Sequence, residues 1–269
     1  MKLLSTRDRG FLLVFALLSA FLWLRDRSWV GSSSDTLPIL AGFPLFVYLG
    51  GPWHLRKDPL TLTPAGVGGA VVLFMVGLSL EANLLLALSM AFLTDSYLRT
   101  RLEPQTLTRA RALLPLIVLA YPWLVLDGQP LTWWFRLTGA GATAHFFSLL
   151  GLSVAQEGVH LTIQGLQVSV DPACSGLNVL QAALLAGLAV AVRNERVKRL
   201  QDALPALLTL VALAWLANVA RILMLCVIAL TFGADVARGP VHASGGLLVL
   251  VLMFVLTLKL FARRREPRA

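Results

Sequence analysis

Three side chains in the last hundred residues have the chemistry of an acyl-transfer site: Cys174, Arg221 and His242. A thiolate is a strong nucleophile, a guanidinium offsets charge developing on a carbonyl oxygen, and an imidazole passes a proton to a departing amine. Cys174 stands just behind Asp171 and Pro172. Asp suits an N-cap and Pro the first helical position, so the thiol is expected in a first helical turn, among N–H groups that favour the thiolate. Asn178 and Gln181 continue its face at i+4 and i+7, giving a polar stripe on an apolar helix. Asn218 stands one turn before Arg221 and is expected on the facing wall of the same cleft.

Each residue also has a plainer reading. A buried cysteine is a small hydrophobe, and that is the reading adopted for Cys226, deep in an apolar stretch. An arginine inside an apolar helix costs about 2.5 to 3.5 kcal/mol or more, and the structural remedies are snorkelling or an acidic partner. No acid is evident along the final three apolar runs, which favours a role at an oxyanion or substrate carbonyl. His242, between Gly239-Pro240 and Gly245-Gly246, would serve as a cap; beside a thiol and an arginine it reads as the acid/base group. His145 and His160 compete for that role, whereas His54 is expected on the opposite side of the membrane.

The elements that must position these groups are membrane helices. Of 269 residues 57% are hydrophobic and 14% charged, against about 25% charged in soluble domains, and the mean hydropathy is +0.77. The expected fold is all-α, a polytopic membrane bundle forming one domain over residues 1–269. Apolar runs bounded by charges predict eight spans, at 10–24, 37–54, 64–80, 82–98, 112–126, 172–192, 203–232 and 240–261. Residues 1–126 hold five spans, 127–171 an extracytoplasmic segment, 172–261 the three spans with the chemistry, and 262–269 a basic tail. The scheme requires a turn at Glu81-Ala82-Asn83, because one continuous helix there would invert everything downstream.

Charge sets the orientation. With an inside N-terminus, eighteen of the 23 Lys and Arg residues fall in inside segments and only Arg25, Arg27, Arg136 and Arg238 in outside ones, which by the positive-inside rule places both termini in the cytoplasm of a cell (inner) membrane protein. The first apolar run lacks a small-residue cleavage site and reads as a retained span. The same clusters account for the net charge of +9 and leave no basic face for nucleic acid. Arg221, about 18 residues along its span, is expected roughly 27 Å from the inner end, at the outer surface where the helices of Cys174 and His242 begin.

Between spans five and six, Leu131 to Leu150 carries Trp133, Trp134, Phe135, Phe146 and Phe147 and predicts an interfacial helix on the outer leaflet. The alternation of His160–Gln164 and Leu166–Val170 about Gly165 predicts a small hairpin. Both would cover the site as a lid or shelf, with lipid anchoring by the aromatics as the plainer role.

The run Val170-Asp171-Pro172-Ala173-Cys174-Ser175-Gly176-Leu177, the segment Asn218-Val219-Ala220-Arg221 and the His242 helix entry resemble, in order and spacing, the three signature regions of the exosortase/archaeosortase family. The likeness covers about the last 140 residues. It implies a transmembrane cysteine transpeptidase that cleaves C-terminal sorting signals of exported proteins, each signal a short motif such as Pro-Glu-Pro, a transmembrane helix and a basic tail. It also implies Cys174 as nucleophile, Arg221 as oxyanion or substrate stabiliser and His242 as acid/base group. The neighbouring Asp171, Ser175, Asn178, Gln181 and Asn218 are expected from the residues themselves to support or line the site. No cofactor or metal is expected: the chain has neither a His-Glu-x-x-His helix nor a phosphate-binding glycine loop. The competing classes are a polytopic transporter, which would show repeat symmetry, and a structural subunit of an export or envelope-assembly complex, which would tolerate change at all three residues.

Overall fold

The computed structural model describes residues 5–31, 33–56, 60–170, 177–233, 236–237 and 240–262, with the side chains of 33–35, 177–179 and 240–250 outside that description. The chain divides into two compact units, one of Met1–Asp127, Leu188–Leu207 and Phe261–Ala269, the other of Gly128–Gly187 and Leu208–Leu260.

In the first unit, α1 (Thr6–Arg25) starts on a reciprocal cap: the Asp8 main-chain N–H donates to the Ser5 hydroxyl while the Asp8 carboxylate accepts from the Ser5 N–H, satisfying two donors that a helix start leaves open. After a short 3-10 turn at Ser28–Gly31 comes α2 (Ser33–Gly50). Helices α3 (Pro64–Ser79) and α4 (Asn83–Arg101) form an antiparallel hairpin. Glu81, at φ +54°, makes the reversal, so the break at Glu81-Ala82-Asn83 is a turn. Gly77 faces Leu86 and Gly66 faces Ser96 so closely that a Cβ would lie 2.9 Å from the leucine and 2.6 Å from the serine hydroxyl. Asp127 reaches back to the start of α4, accepting from Asn83 Nδ2 at 2.7 Å and from the Leu84 N–H at 2.8 Å.

The fifth apolar run is not one helix. Short helices α5 (Pro104–Ala112), α6 (Leu114–Leu119) and α7 (Trp123–Leu126) occupy residues 104–126. The proline nitrogens of Pro115 and Pro122 cannot donate, and each proline disfavours helical geometry in the residue before it; α6 starts beside the first and α7 directly after the second. The bend buries Tyr121, which pairs with Ser19 at 2.8 Å, while Trp23 Nε1 donates to the Ala120 carbonyl at 3.0 Å.

The second unit is built on α8 (Gln129–Leu149), a sheet, and parts of α9 (Leu177–Arg193), α10 (Leu200–Phe232) and α11 (Pro240–Phe261). The sheet is an antiparallel meander of β1 (Val154–Glu157), β2 (His160–Ile163) and β3 (Leu166–Ser169). The expected hairpin is thus extended by a third strand, which the polar sequence Val154-Ala155-Gln156-Glu157 concealed. Gln164 and Gly165, at φ +49° and +83°, form the β2–β3 turn, a backbone twist suited to two-residue hairpins. One sheet face is apolar: Leu161, Ile163 and Val170 are buried with Ala140 and Phe147 of α8 and Ile222, Leu225 and Cys226 of α10.

Helix α10 is the one described helix long and apolar enough to cross a bilayer; its 33 residues extend about 50 Å. Thr36–Gly50, Pro64–Ser79, Leu180–Arg193 and Val251–Phe261 are apolar but shorter, so eight full-length spans are not what the described helices amount to.

Candidate active site

Helix α10 carries the two polar residues that least belong in it. Asn218 and Arg221 are three residues apart, so they share a face, and they are only 3% and 8% exposed. Neither side-chain atom of Asn218 has a hydrogen-bond partner among the described residues. An unsatisfied buried amide costs about 1 to 3 kcal/mol, which makes this carboxamide an open pair of donor and acceptor. Helix α8 closes against it at Gly139, where a Cβ would lie 2.8 Å from Ile222 Cδ1 and 3.8 Å from Asn218 Nδ2. One turn further along α10 toward its start, Trp215 Nε1 donates to Thr138 Oγ1 at 2.9 Å.

Helix α9 carries the other two polar residues expected to line the cleft, Asn178 and Gln181. It runs antiparallel to α10 and meets it at Gly187, where a Cβ would lie 2.3 Å from Leu210 Cδ2. At 1.5 Å per residue, Gln181 stands about 9 Å and Asn178 about 13 Å from that contact along α9, while Asn218 and Arg221 stand about 12 and 16 Å from it along α10. The four positions therefore fall within a similar distance of that contact along their helices. Gln181 is buried, at 1% exposure; the side chain of Asn178 lies outside the described residues.

Asp171, Cys174 and Ser175 also lie outside the described residues, so their expected placement is not reported by the structure. What is described is the strand end that leads to them. The Val170 N–H donates to the Val159 carbonyl at 3.0 Å, and Arg136 Nε of α8 donates to the Val170 carbonyl at 2.6 Å. Val170 is buried in the apolar cluster that contains Ile222, the neighbour of Arg221. Arg136 was missed as a functional candidate because it was only counted among the outside cations. The available signal was its isolation behind Trp133-Trp134-Phe135, a charge in an aromatic helix, like Arg221 in an aliphatic one.

Helix α11 begins at Pro240, which puts His242 in its first turn as expected; its side chain is not described. Of the other histidines, His54, His145 and His160 are all exposed. Cys226 is fully buried in the apolar cluster, in keeping with a structural thiol. Among the described residues no group of three or more His, Cys, Asp and Glu is placed to hold a metal ion.

A model of the transmembrane exosortases matches residues 5–259, nearly the whole chain. No curated protein and no solved structure matches.

Proposed function

The chain belongs to the transmembrane exosortase family, and from that premise we propose that it is a membrane-embedded cysteine protease and transpeptidase that cleaves C-terminal sorting signals of exported proteins. The observation that carries the reading is the burial of Asn218 on the same face of the apolar helix α10 as Arg221, with an amide that has no partner among the described residues and is costly unless used.

In this reading the Cys174 thiolate attacks the scissile carbonyl carbon. Arg221 offsets the negative charge on the carbonyl oxygen, and His242 protonates the amine as the C–N bond breaks. The acyl group is left as a thioester on Cys174. An amine or a water then attacks the thioester, releasing the thiol and a transferred or hydrolysed product. Asp171 and Ser175 support the thiol segment, and Asn178, Gln181 and Asn218 line the cleft that receives the substrate. No cofactor enters any step.

The membrane arrangement proposed with it has eight crossings, both termini in the cytoplasm and the site at the outer face of the cell membrane. Three things support it: the reversal at Glu81, the start of helices at the expected apolar runs, and the concentration of basic residues in alternate loops. The partners are membrane lipid and exported proteins ending in a recognition motif, a transmembrane helix and a basic tail, with no role for nucleic acid.

The test co-expresses such a substrate with the wild type and with Cys174→Ala. Loss of the substrate's C-terminal helix with the wild type alone is the expected result, and equal processing by both would end the proposal. Arg221→Gln should lower kcat about 10²- to 10³-fold, the usual effect of removing an oxyanion donor.

A further inference from the structure

The face of the β-meander turned away from the apolar cluster is polar and concave. Glu157, His160 and Ser169 are consecutive partners across the three strands, and Ala155, Thr162 and Gln167 form the next row. Together these residues line a cavity of about 430 Å³, within the range of roughly 300 to 1,000 Å³ that holds small ligands and short peptides. Glu157, His160, Gln167 and Ser169 are exposed.

Strand β3 is an edge of this sheet. Hydrogen bonding in an antiparallel ladder alternates along a strand. The Val170 N–H bonds to the Val159 carbonyl of the β2 side, so in register Val168 and Leu166 also face β2. The main-chain N–H and C=O groups of Gln167 and Ser169 therefore point out of the free edge, beside the cavity. Cys174 stands five positions after Ser169, a reach of at most about 18 Å, which a peptide of about five extended residues also spans.

We propose that the edge of β3 and the polar cavity beside it form the docking track for the substrate polypeptide on the N-terminal side of the cleaved bond, taken up as a fourth, extended strand. Main-chain pairing to Gln167 and Ser169 holds the peptide whatever its sequence, and its alternate side chains fall beside those of Gln167 and Ser169, with His160 and Thr162 of β2 in reach of the longer ones. The sheet's other face is already used in packing on α8 and α10, and β3 is the strand that directly precedes the Cys174 segment in the chain. The inference rests on the reading of Cys174 as the acyl-accepting thiol.

Gln167→Pro removes the outward N–H without touching the β2–β3 ladder, because proline is tolerated on edge strands. With purified full-length enzyme and a sorting-signal substrate, this variant should raise KM about tenfold, as the loss of one or two hydrogen bonds to bound substrate implies. Its effect should clearly exceed that of Gln167→Ala, and alkylation of Cys174 should be undisturbed. A photoreactive residue at position 167 in the Cys174→Ala enzyme reads the same contact without requiring the proline variant to fold. It should join to the substrate within about five residues upstream of the cleaved bond. Adducts confined to the substrate's transmembrane helix, or none, together with a KM for Gln167→Pro within twofold of wild type, would overturn the docking track. Cleavage persisting in Cys174→Ala would instead overturn the reading beneath it, a result the other two measurements do not mimic.

Discussion

The guanidinium of Arg136 donates through Nε to the carbonyl of Val170 at 2.6 Å, so a helix of the second unit holds the last described residue before Asp171-Pro172-Ala173-Cys174. The Val170 N–H is fixed by β2 at the same time. Both main-chain groups of this one residue are therefore committed, and the strand end cannot swing.

Arg136 is accordingly expected to act as a positioning residue for the thiol. Arg136→Gln should lower kcat about tenfold to a hundredfold, the value of a hydrogen bond to a charged donor, with KM little changed. Arg136→Lys should recover only part, because an ammonium on a flexible stem lacks the fixed fork of the guanidinium. The readout that separates positioning from general stability is the pH profile of Cys174 alkylation. A rate profile identical to wild type would show that Arg136 merely supports the fold.

Asn218 should show a conflict between stability and activity. Its amide is buried with neither atom paired among the described residues, so Asn218→Leu, with the same branched outline of four side-chain heavy atoms, removes a desolvated polar group and should stabilise the protein by about 1 to 3 kcal/mol. Processing should fall about tenfold as a substrate hydrogen bond is lost. Thermal unfolding in detergent beside a processing assay tests both halves. A variant less stable than wild type would mean the amide serves the fold.

The gross order of helices was legible because a bilayer forces apolar runs of fixed length, and α2, α3, α4, α10 and α11 lie on them within a few residues. Long-range compensation was not legible. Nothing local in residues 112–126 distinguishes a proline-bent pair of helices from one continuous helix; the bend is stabilised by Ser19 and Trp23 of α1, about a hundred residues away. Strand β1 was hidden for a related reason. Its residues are largely exposed, so it lacks the apolar alternation that marked β2. At the site, Arg221 and Asn218 announced themselves as polar residues in an apolar helix, whereas Arg136 acts through a main-chain carbonyl 34 residues distant, a partner no side-chain pattern reveals.

The first unit should lose stability in acid through one buried pair. Asp8 is fully buried and lies 3.0 Å from Arg101 Nε. Burial pushes its carboxyl up, but hydrogen bonds from the Ser5 hydroxyl and N–H, with the Arg101 charge, more than offset that and hold it below the ordinary carboxylate value. A carboxyl depressed in the folded state contributes stability that is whole above about pH 4, the unfolded value, and fades as pH falls through the lower folded one. Asp8→Asn should remove that acid-side slope in thermal unfolding. It should also cost about 3 kcal/mol at neutral pH, because Arg101 stays buried with its opposing charge gone. A slope that survives in the variant would assign the acid sensitivity elsewhere.

The two thiols should separate cleanly toward a membrane-impermeant maleimide applied to intact cells. Cys226 is 0% exposed and packed among Leu161, Ile163, Val170 and Ile222, so it should label only after unfolding. Cys174, on the outer-face reading, should label in the native protein. Protection by a bound substrate that has not been cleaved would tie the labelled thiol to the site. Labelling only after permeabilisation would put Cys174 on the cytoplasmic side and reverse the proposed topology, whereas equal labelling of both cysteines in native cells would contradict the buried position of Cys226.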